Sequence, residues 1–166
     1  MRIRGSGVYI SDVLFRNCHT IGDAGAVLVT GDPGNVFTCH HCVFQSNSAI
    51  NPAGGGGGGA IYSDGLVIIK HCNFFNNTAE QFGGAISANS IDIADSHSSF
   101  NRIYYSKSRG GGAVFAELGL VANRSEFAFN SAGLSSGGAL HADEMVIEQC
   151  EFRGNRAGEG GALHSV

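Results

Sequence analysis

The chain has 166 residues, a formal net charge of −4, 43% hydrophobic residues and only 14% charged residues. These values allow a buried core, but they do not predict the strongly basic surface of a nucleic-acid-binding protein, and no apolar run approaches the roughly 20 residues that span a bilayer. Glycine is the unusual component: 26 glycines against two prolines indicate tight turns and close backbone contacts rather than a helix bundle.

Two short strings recur along the chain. A glycine string reads "AGAV" at 24–27, "GGAI" at 58–61 and 83–86, "GGAV" at 111–114, and "GGAL" at 137–140 and 160–163. A second string, C/S-x-F-x-x-N, reads "CVFQSN" at 42–47, "CNFFNN" at 72–77, "SEFAFN" at 125–130 and "CEFRGN" at 150–155, with weaker copies at 13–18 and 96–101. Self-similarity at a period of about 25 to 30 residues predicts a solenoid.

Alignment of the six units predicts three short strands in each. The first strand has apolar residues two positions apart, such as Val8 and Ile10, the second carries the phenylalanine of its string, and the third starts at the aliphatic residue of the glycine string. A period of two is that of a strand with one buried face. We therefore predict an all-β, right-handed parallel β-helix of about six coils, with a pectin-lyase-like architecture. Residues 1–166 form one domain, which we expect to be an excerpt of a longer chain.

The repeated residues all receive structural roles in this prediction. The second glycine of each string is expected at a corner that needs positive φ or lacks room for a Cβ atom. Asparagines should stack at another corner, where the side chain bonds its own turn and tolerates left-handed geometry. "DG" at 64–65, with Asn35, Asn89 and Asp143, is assigned to the third corner. We expect four phenylalanines to be buried: Phe44, Phe74, Phe127 and Phe152.

Repeats that combine G-G-A-[I/L/V] with F-x-x-N resemble those of the chlamydial polymorphic outer membrane proteins, over residues 8–166. The resemblance implies a surface-displayed β-helix, the passenger of an autotransporter, that acts in adhesion. It implies an extracellular or cell-surface location associated with the outer membrane. The expected partners are a cell-surface glycan or protein and flanking coils of the same chain, without nucleic acid, cofactor or direct insertion of this segment into a membrane.

The string "CHHC" at 39–42, followed by "HC" at 71–72, has the residue types and spacing of a zinc site. The column assignment directs Cys39, Cys42 and Cys72 inward, whereas His41 and His71 point outward. We therefore favour a buried thiol stack beside a surface histidine ladder, and predict no metal site. Stacked parallel Cβ atoms lie about 4.8 Å apart, which also argues against a disulfide between Cys42 and Cys72.

An outward column of polar residues provides the alternative function, a polysaccharide lyase or hydrolase. Its members in successive coils are Asp12, His41, His71, Asp95, Arg124 and Gln149. Enzymes on β-helices carry acids and bases along such a wall, but the two acids here are separated by two coils and no close carboxylate pair is evident. We therefore assign no catalytic residue and interpret the column as a ladder of complementary charges.

The binding surface is predicted where the repeat length varies. The segment after the corner asparagine expands to "SAINPAGGGGGG" at 48–59 and to "RIYYSKSRGG" at 102–111. The second loop combines aromatic and cationic side chains, a composition favoured at recognition hot spots. We predict that it contacts an acidic glycan or protein through Tyr104, Tyr105, Lys107 and Arg109; a solvated loop is the structural alternative. Two N-glycosylation sequons, at Asn76 and Asn123, matter only in a eukaryotic source.

Overall fold

A computed structural model describes residues 1–3, 7–50, 57–104 and 109–166, which form twenty strands and no helix. Accordingly, these residues contain no helix with the length and apolarity to cross a membrane. The strands are β1 (Arg2–Ile3), β2 (Gly7–Ser11), β3 (Leu14–Arg16), β4 (His19–Thr20), β5 (Val27–Val29), β6 (Val36–His40), β7 (Val43–Gln45), β8 (Ser48–Ala49), β9 (Ile61–Lys70), β10 (Asn73–Phe75), β11 (Thr78–Ala79), β12 (Ile86–Ala94), β13 (His97–Ser99), β14 (Arg102–Ile103), β15 (Val114–Asn123), β16 (Glu126–Ala128), β17 (Leu140–Ala142), β18 (Glu144–Glu148), β19 (Glu151–Arg153) and β20 (Leu163–Ser165).

Three parallel sheets form the walls of a solenoid. The long sheet has ten strands, with the path β1-β5-β9-β12-β15-β17-β20 and with β2, β6 and β18 beside it. The phenylalanine sheet is β3-β7-β10-β13-β16-β19, and the short sheet is β4-β8-β11-β14. Six stacked strands in the phenylalanine sheet delimit about five turns, so the fold is an all-β parallel solenoid of about five turns rather than the six coils expected.

The strand register confirms the alignment of the repeats. Val67 pairs with Phe37 on one side and with Ile91 on the other. In the phenylalanine sheet, Phe74 pairs with Phe44 and Ser98. Neighbouring strands lie about 4.8 Å apart, so equivalent residues of successive coils pack against one another. Residues that recur at equivalent positions in the sequence therefore stack on one another in the structure.

The third corner is only partly as predicted, because Asn35 and Asp143 lie between separate strands, whereas Asp64, Gly65 and Asn89 lie within continuous ones. Strands β9, β12 and β15 continue through the expected corner, with a shift of register between Ala88 and Ser90. A bulge of this kind bends a strand without taking it out of its sheet. The short sheet was not predicted from the sequence. Three of its four strands follow a corner asparagine, β4 follows Cys18, and each contains only two residues, too few to show a period.

The second glycine of the string is required by space rather than by φ in five of the six copies, whereas at Gly161, in the last copy, the nearest atom to an added Cβ is 3.8 Å away. A Cβ atom on Gly84 would lie 2.1 Å from the carbonyl oxygen of Gly112, and one on Gly112 would lie 2.0 Å from that of Gly138. Neither residue has positive φ. This decides between the two explanations left open by the sequence: successive coils approach so closely at this corner that no side chain fits.

The corner asparagines form a hydrogen-bonded ladder that joins neighbouring coils. The backbone N–H and the side-chain Nδ2 of Asn77 both donate to Oδ1 of Asn101, at 2.9 and 3.0 Å, and Nδ2 also donates to the carbonyl of Phe44 at 2.9 Å. The left-handed residue is the one before each asparagine, at φ of 54 to 56° for Ser46, Asn76, Phe100 and Phe129. The expected stacking is confirmed, whereas the expected left-handed asparagines and bonding within one turn are wrong.

Aliphatic and aromatic columns fill the interior. Phe44, Phe74 and Phe127 are completely buried, as predicted. Phe44 and Phe74 stack with ring centroids 4.8 Å apart. Phe152 is only partly buried, contrary to prediction, because its strand β19 is the last in its sheet and has a neighbour on one side only.

Candidate functional site

The outward polar column lies along a turn of left-handed residues between the long sheet and the phenylalanine sheet. All six members have positive φ, from 43° at Arg124 to 58° at Asp12. Beside this column runs an open groove of about 620 Å³, lined by residues that include His71, Asp95, His97, Arg124 and Glu126. The turn explains why these side chains point away from the core, and the groove beside them brings imidazole, carboxylate and guanidinium groups together.

An ion pair joins two of the charged groups in this groove, Asp95 and Arg124. Arg124 Nε donates to Asp95 Oδ1 at 2.7 Å, and its second bond, from Nη2, reaches Oδ2 at 2.8 Å. The hydrogen bonds from this guanidinium hold the pKa of Asp95 below its usual value. A carboxylate bound through both oxygens and ionised over a wider pH range is a poor proton acceptor. Asp95 therefore has the properties of a structural ion-pair partner rather than those of a general base.

The imidazoles near the groove are likewise engaged with neighbours. His41 and His71 stack with ring centroids 5.0 Å apart. His97 Nδ1 lies 3.0 Å from Glu126 Oε2, and Arg153 Nη2 donates to the other oxygen of Glu126 at 3.3 Å. Within the predicted column, the ion pair between Asp95 and Arg124 fits a ladder of complementary charges, whereas His41 and His71 stack as like residues and the pairs of Glu126 lie beside the column.

The cysteines and histidines of the zinc-like string lie on opposite faces, as predicted. Cys39, Cys42 and Cys72 are buried, and His41 and His71 are exposed. All five cysteines are free, and the Sγ atoms of Cys39 and Cys72 approach to 3.6 Å. The contact with Cys72, together with burial, raises the pKa of Cys39. In the part of the chain that the structure describes, no three potential metal ligands converge.

The predicted binding loop is described only at its two ends. Tyr104 is exposed directly after β14, and its ring lies under the guanidinium of Arg102 at 4.5 Å. Arg109 Nη2 donates to Asp143 Oδ1 at 3.1 Å. Tyr105 and Lys107 lie outside the described residues. The loop thus stays a prediction, although both insertions do follow strands of one sheet, because β8 and β14 belong to the short sheet.

A row of exposed phenylalanines and arginines beside that loop was not predicted from the sequence. We call it the aromatic corner: Phe75, Phe100, Phe129, Arg102, Arg153 and Arg156. The three phenylalanine side chains are between 39 and 50% exposed. Phe100 and Phe129 stack at 5.2 Å, Phe75 meets Phe100 edge-on at 5.6 Å, and the Arg153 guanidinium lies 5.2 Å from the centre of Phe129. A signal was present, since Phe100 and Phe129 each directly precede a ladder asparagine.

Comparison with known families supports the assignment of the repeats. Residues 41–64 and 71–89 match the Chlamydia polymorphic membrane protein repeat, which confirms the resemblance inferred from the sequence over these two segments. They cover about a quarter of the chain and include two successive glycine strings. No curated protein and no solved structure matched the chain.

Proposed function

We propose that this chain is a non-enzymatic, surface-displayed segment that serves in adhesion or as a structural stalk. The observation that carries the proposal is that the repeated residues, and the outward acid beside them, all make structural contacts within the solenoid. Asparagines bond neighbouring coils, glycines permit close backbone contact, and the outward acid Asp95 is held by Arg124. The match to the Chlamydia polymorphic membrane protein repeat supports a location at the outer membrane or cell surface.

We also propose that the coil is right-handed and that the segment is exported as part of an autotransporter. Connections between parallel strands of one sheet are almost always right-handed, which supports a right-handed coil of the pectin-lyase-like type. The repeat match supports display as the passenger of an autotransporter. A solenoid suits a stalk or an adhesin because the walls of the solenoid form long binding surfaces over a continuous core.

The test compares binding with turnover. Beads coated with the protein are expected to attach to cultured epithelial cells, and the soluble protein should leave a panel of polyuronides intact. The alternative, a carbohydrate-active enzyme, requires the groove that contains His71 and Asp95. Depolymerisation that disappears in His71→Ala and Asp95→Ala would establish that alternative and overturn the proposal.

The loop prediction is tested in the same assay. Tyr104, Tyr105, Lys107 and Arg109 are replaced together by serine, with the melting temperature as the check on folding. We expect cell attachment to fall because aromatic and guanidinium groups at recognition surfaces contribute much of the binding free energy. Undiminished attachment by a folded variant would show that the loop is not the contact.

A further inference from the structure

The backbone of the aromatic corner is unusual for the side chains that it carries. Phe100 and Phe129 both have φ of 56°, a left-handed conformation in which a bulky residue is an outlier. The equivalent position in earlier coils is held by Asn17, Ser46 and Asn76, also left-handed, and asparagine accepts this geometry more readily. The chain therefore has a less strained residue for this position and uses phenylalanine in two coils.

Burial does not account for these phenylalanines. Half of the Phe100 side chain and 44% of that of Phe129 remain exposed, so much of the apolar surface is not removed from water. Gly154 follows in the same column, and a Cβ atom there would lie 2.5 Å from the Phe129 ring. The bare backbone at Gly154 leaves room for that ring. Strain without full burial points to a role in recognition.

The corner is also cationic in a chain of net negative charge. Arg102 and Arg156 are both exposed and pair with Ser131 from opposite sides, so their Cα atoms are two coils apart, about 9.6 Å. Arg102 stacks on Tyr104, and within the described ranges it forms no ion pair with a carboxylate. Arg153 is shared between Glu126 and the Phe129 ring. An anionic ligand would find guanidinium groups in a row along the axis.

A recess of about 270 Å³ lies between the two stacked rings and one of the cations, Arg102. Its lining combines the phenylalanines with hydrogen-bonding groups: Asn76, Phe100, Asn101, Arg102, Phe129 and Ser131. The described structure thus places apolar carbon, an exposed amide, a hydroxyl and a guanidinium around one small volume. That mixture suits a sugar ring, which has apolar C–H groups and hydroxyls on the same scaffold.

We propose that the aromatic corner binds an anionic polysaccharide laid along the solenoid axis. The inference rests on the proposed adhesive function and names its ligand class. Sugar C–H groups pack on Phe100 and Phe129, and carboxylate or sulfate groups pair with Arg102 and Arg156. Repetition along the axis matches a polymer whose charged groups recur at regular intervals.

The backbone of the corner disfavours a peptide that binds as an added strand. Arg102 N–H donates to the carbonyl of Asn77 at 3.0 Å, Ile103 N–H to that of Ser131 at 3.0 Å, and Ser131 N–H to that of Asn101 at 2.9 Å. Strand addition needs free N–H and C=O groups at a sheet edge, and here the neighbouring coils use them. Recognition must therefore come from side chains, as the proposal requires.

The experiment uses a double variant that the chain itself suggests, Phe100→Asn with Phe129→Asn. Asparagine occupies the same left-handed column at Asn17 and Asn76, so the variant should melt at or above the wild-type temperature. Its affinity for the anionic glycan should fall at least tenfold. Arg102→Gln should weaken binding and reduce its dependence on salt. Leu118→Asn is the matched control, since Leu118 is 58% exposed and lies on the long sheet; its affinity should equal that of the wild type.

Four probes separate the sources of binding: hyaluronan oligosaccharide with carboxylates, dextran sulfate with sulfates, neutral dextran and poly-glutamate. We expect at least one anionic glycan to bind more tightly than neutral dextran and poly-glutamate, and we expect the double variant to lose this binding. The proposal is overturned if neither anionic glycan binds, if neutral dextran binds equally well, or if poly-glutamate binds as tightly or more tightly. It is also overturned if the folded double variant keeps its full affinity.

The cell assay distinguishes this failure from failure of the proposed function. If wild-type protein attaches to cells and the double variant attaches equally well, the aromatic corner is not the contact and the adhesive function stands. If the wild type does not attach, adhesion itself is wrong, whatever the isolated probes show.

Discussion

The imidazole of His141 is buried within a stack of rings. It lies between Phe115 and His164, with ring centroids at 5.3 and 5.0 Å, and its Nδ1 is 3.0 Å from Ser136 Oγ. Nε2 is buried and has no hydrogen-bond partner among the described residues. Burial, together with the nearby His164 and Arg109, lowers the pKa of His141 to about 4. The neutral form is therefore the one that fits the folded chain.

This buried group makes stability depend on pH in a defined window. The pKa of His141 is near 6.5 when unfolded and about 4 when folded, so the unfolded state binds the proton first as the pH falls. The free energy of unfolding should decline from pH 6.5 to pH 4 by up to about 3 kcal/mol from this residue, and remain level below that. Urea titrations across this range measure the decline.

A variant isolates the contribution of His141. His141→Phe copies Phe115, its partner in the adjacent strand, and should flatten the decline between pH 6.5 and 4 because no proton can bind. His19→Gln, at an exposed position, should retain the decline. An unchanged pH profile in His141→Phe would show that other groups are responsible.

Individual residues were predicted unequally well from the sequence. The inward cysteines and outward histidines followed from the columns of the aligned repeats, in which Cys42 and Cys72 share one position and His41 and His71 share the position before it. The left-handed position before each asparagine could not be inferred in this way, because Ser46, Asn76 and Phe100 share no side-chain property. The exposure of Phe100 and Phe129 was missed for the same reason: a turn residue follows no strand period.

At the scale of single elements, the glycine string controls how closely two coils approach. The structure predicts that alanine substitutions at two glycines, Gly84 and Gly119, have different effects on the free energy of unfolding. Gly84→Ala would place Cβ 2.1 Å from the Gly112 oxygen and 2.5 Å from the Arg102 nitrogen, both backbone atoms that cannot move aside independently. We expect a loss of about 3 kcal/mol or more in the free energy of unfolding.

Gly119→Ala is the matched control in strand β15, where an added Cβ would meet nothing within 4 Å. Its effect should stay within about 0.5 kcal/mol. Chemical denaturation of both variants measures the difference. Similar losses for the two would indicate that backbone freedom, rather than contact between coils, explains the glycine string.

The elements themselves were predictable where they carry a side-chain pattern. Strands of the phenylalanine sheet and of the long sheet were identified from columns that the register confirms. The short sheet was not, since two residues such as Thr78–Ala79 cannot display alternation. The bulge near Ala88 was taken for a corner because asparagine and glycine favour both features.

Across the whole molecule, contacts join each coil to its neighbours, so the cost of a core mutation should depend on its position along the axis. Phe74 is buried between the strands of Phe44 and Ser98, and Phe74→Ala should cost about 3 to 5 kcal/mol. Phe152 stacks on Phe127 alone, so Phe152→Ala should cost clearly less. Equal melting temperatures for Phe74→Ala and the parent would show that the coil register is wrong.

The asparagine ladder makes the two directions along the axis chemically different. Each Nδ2 donates to the Oδ1 of the next coil, from Asn47 through Asn77, Asn101 and Asn130 to Asn155, so the amide dipoles all point the same way. Two copies related by a two-fold axis would bring like ends of this dipole row together, donor to donor or acceptor to acceptor. A further copy could extend the row only if its own amide dipoles were parallel to those of the first copy. The ladder therefore favours head-to-tail growth, which is heterologous and open-ended, over a closed symmetric dimer along this axis.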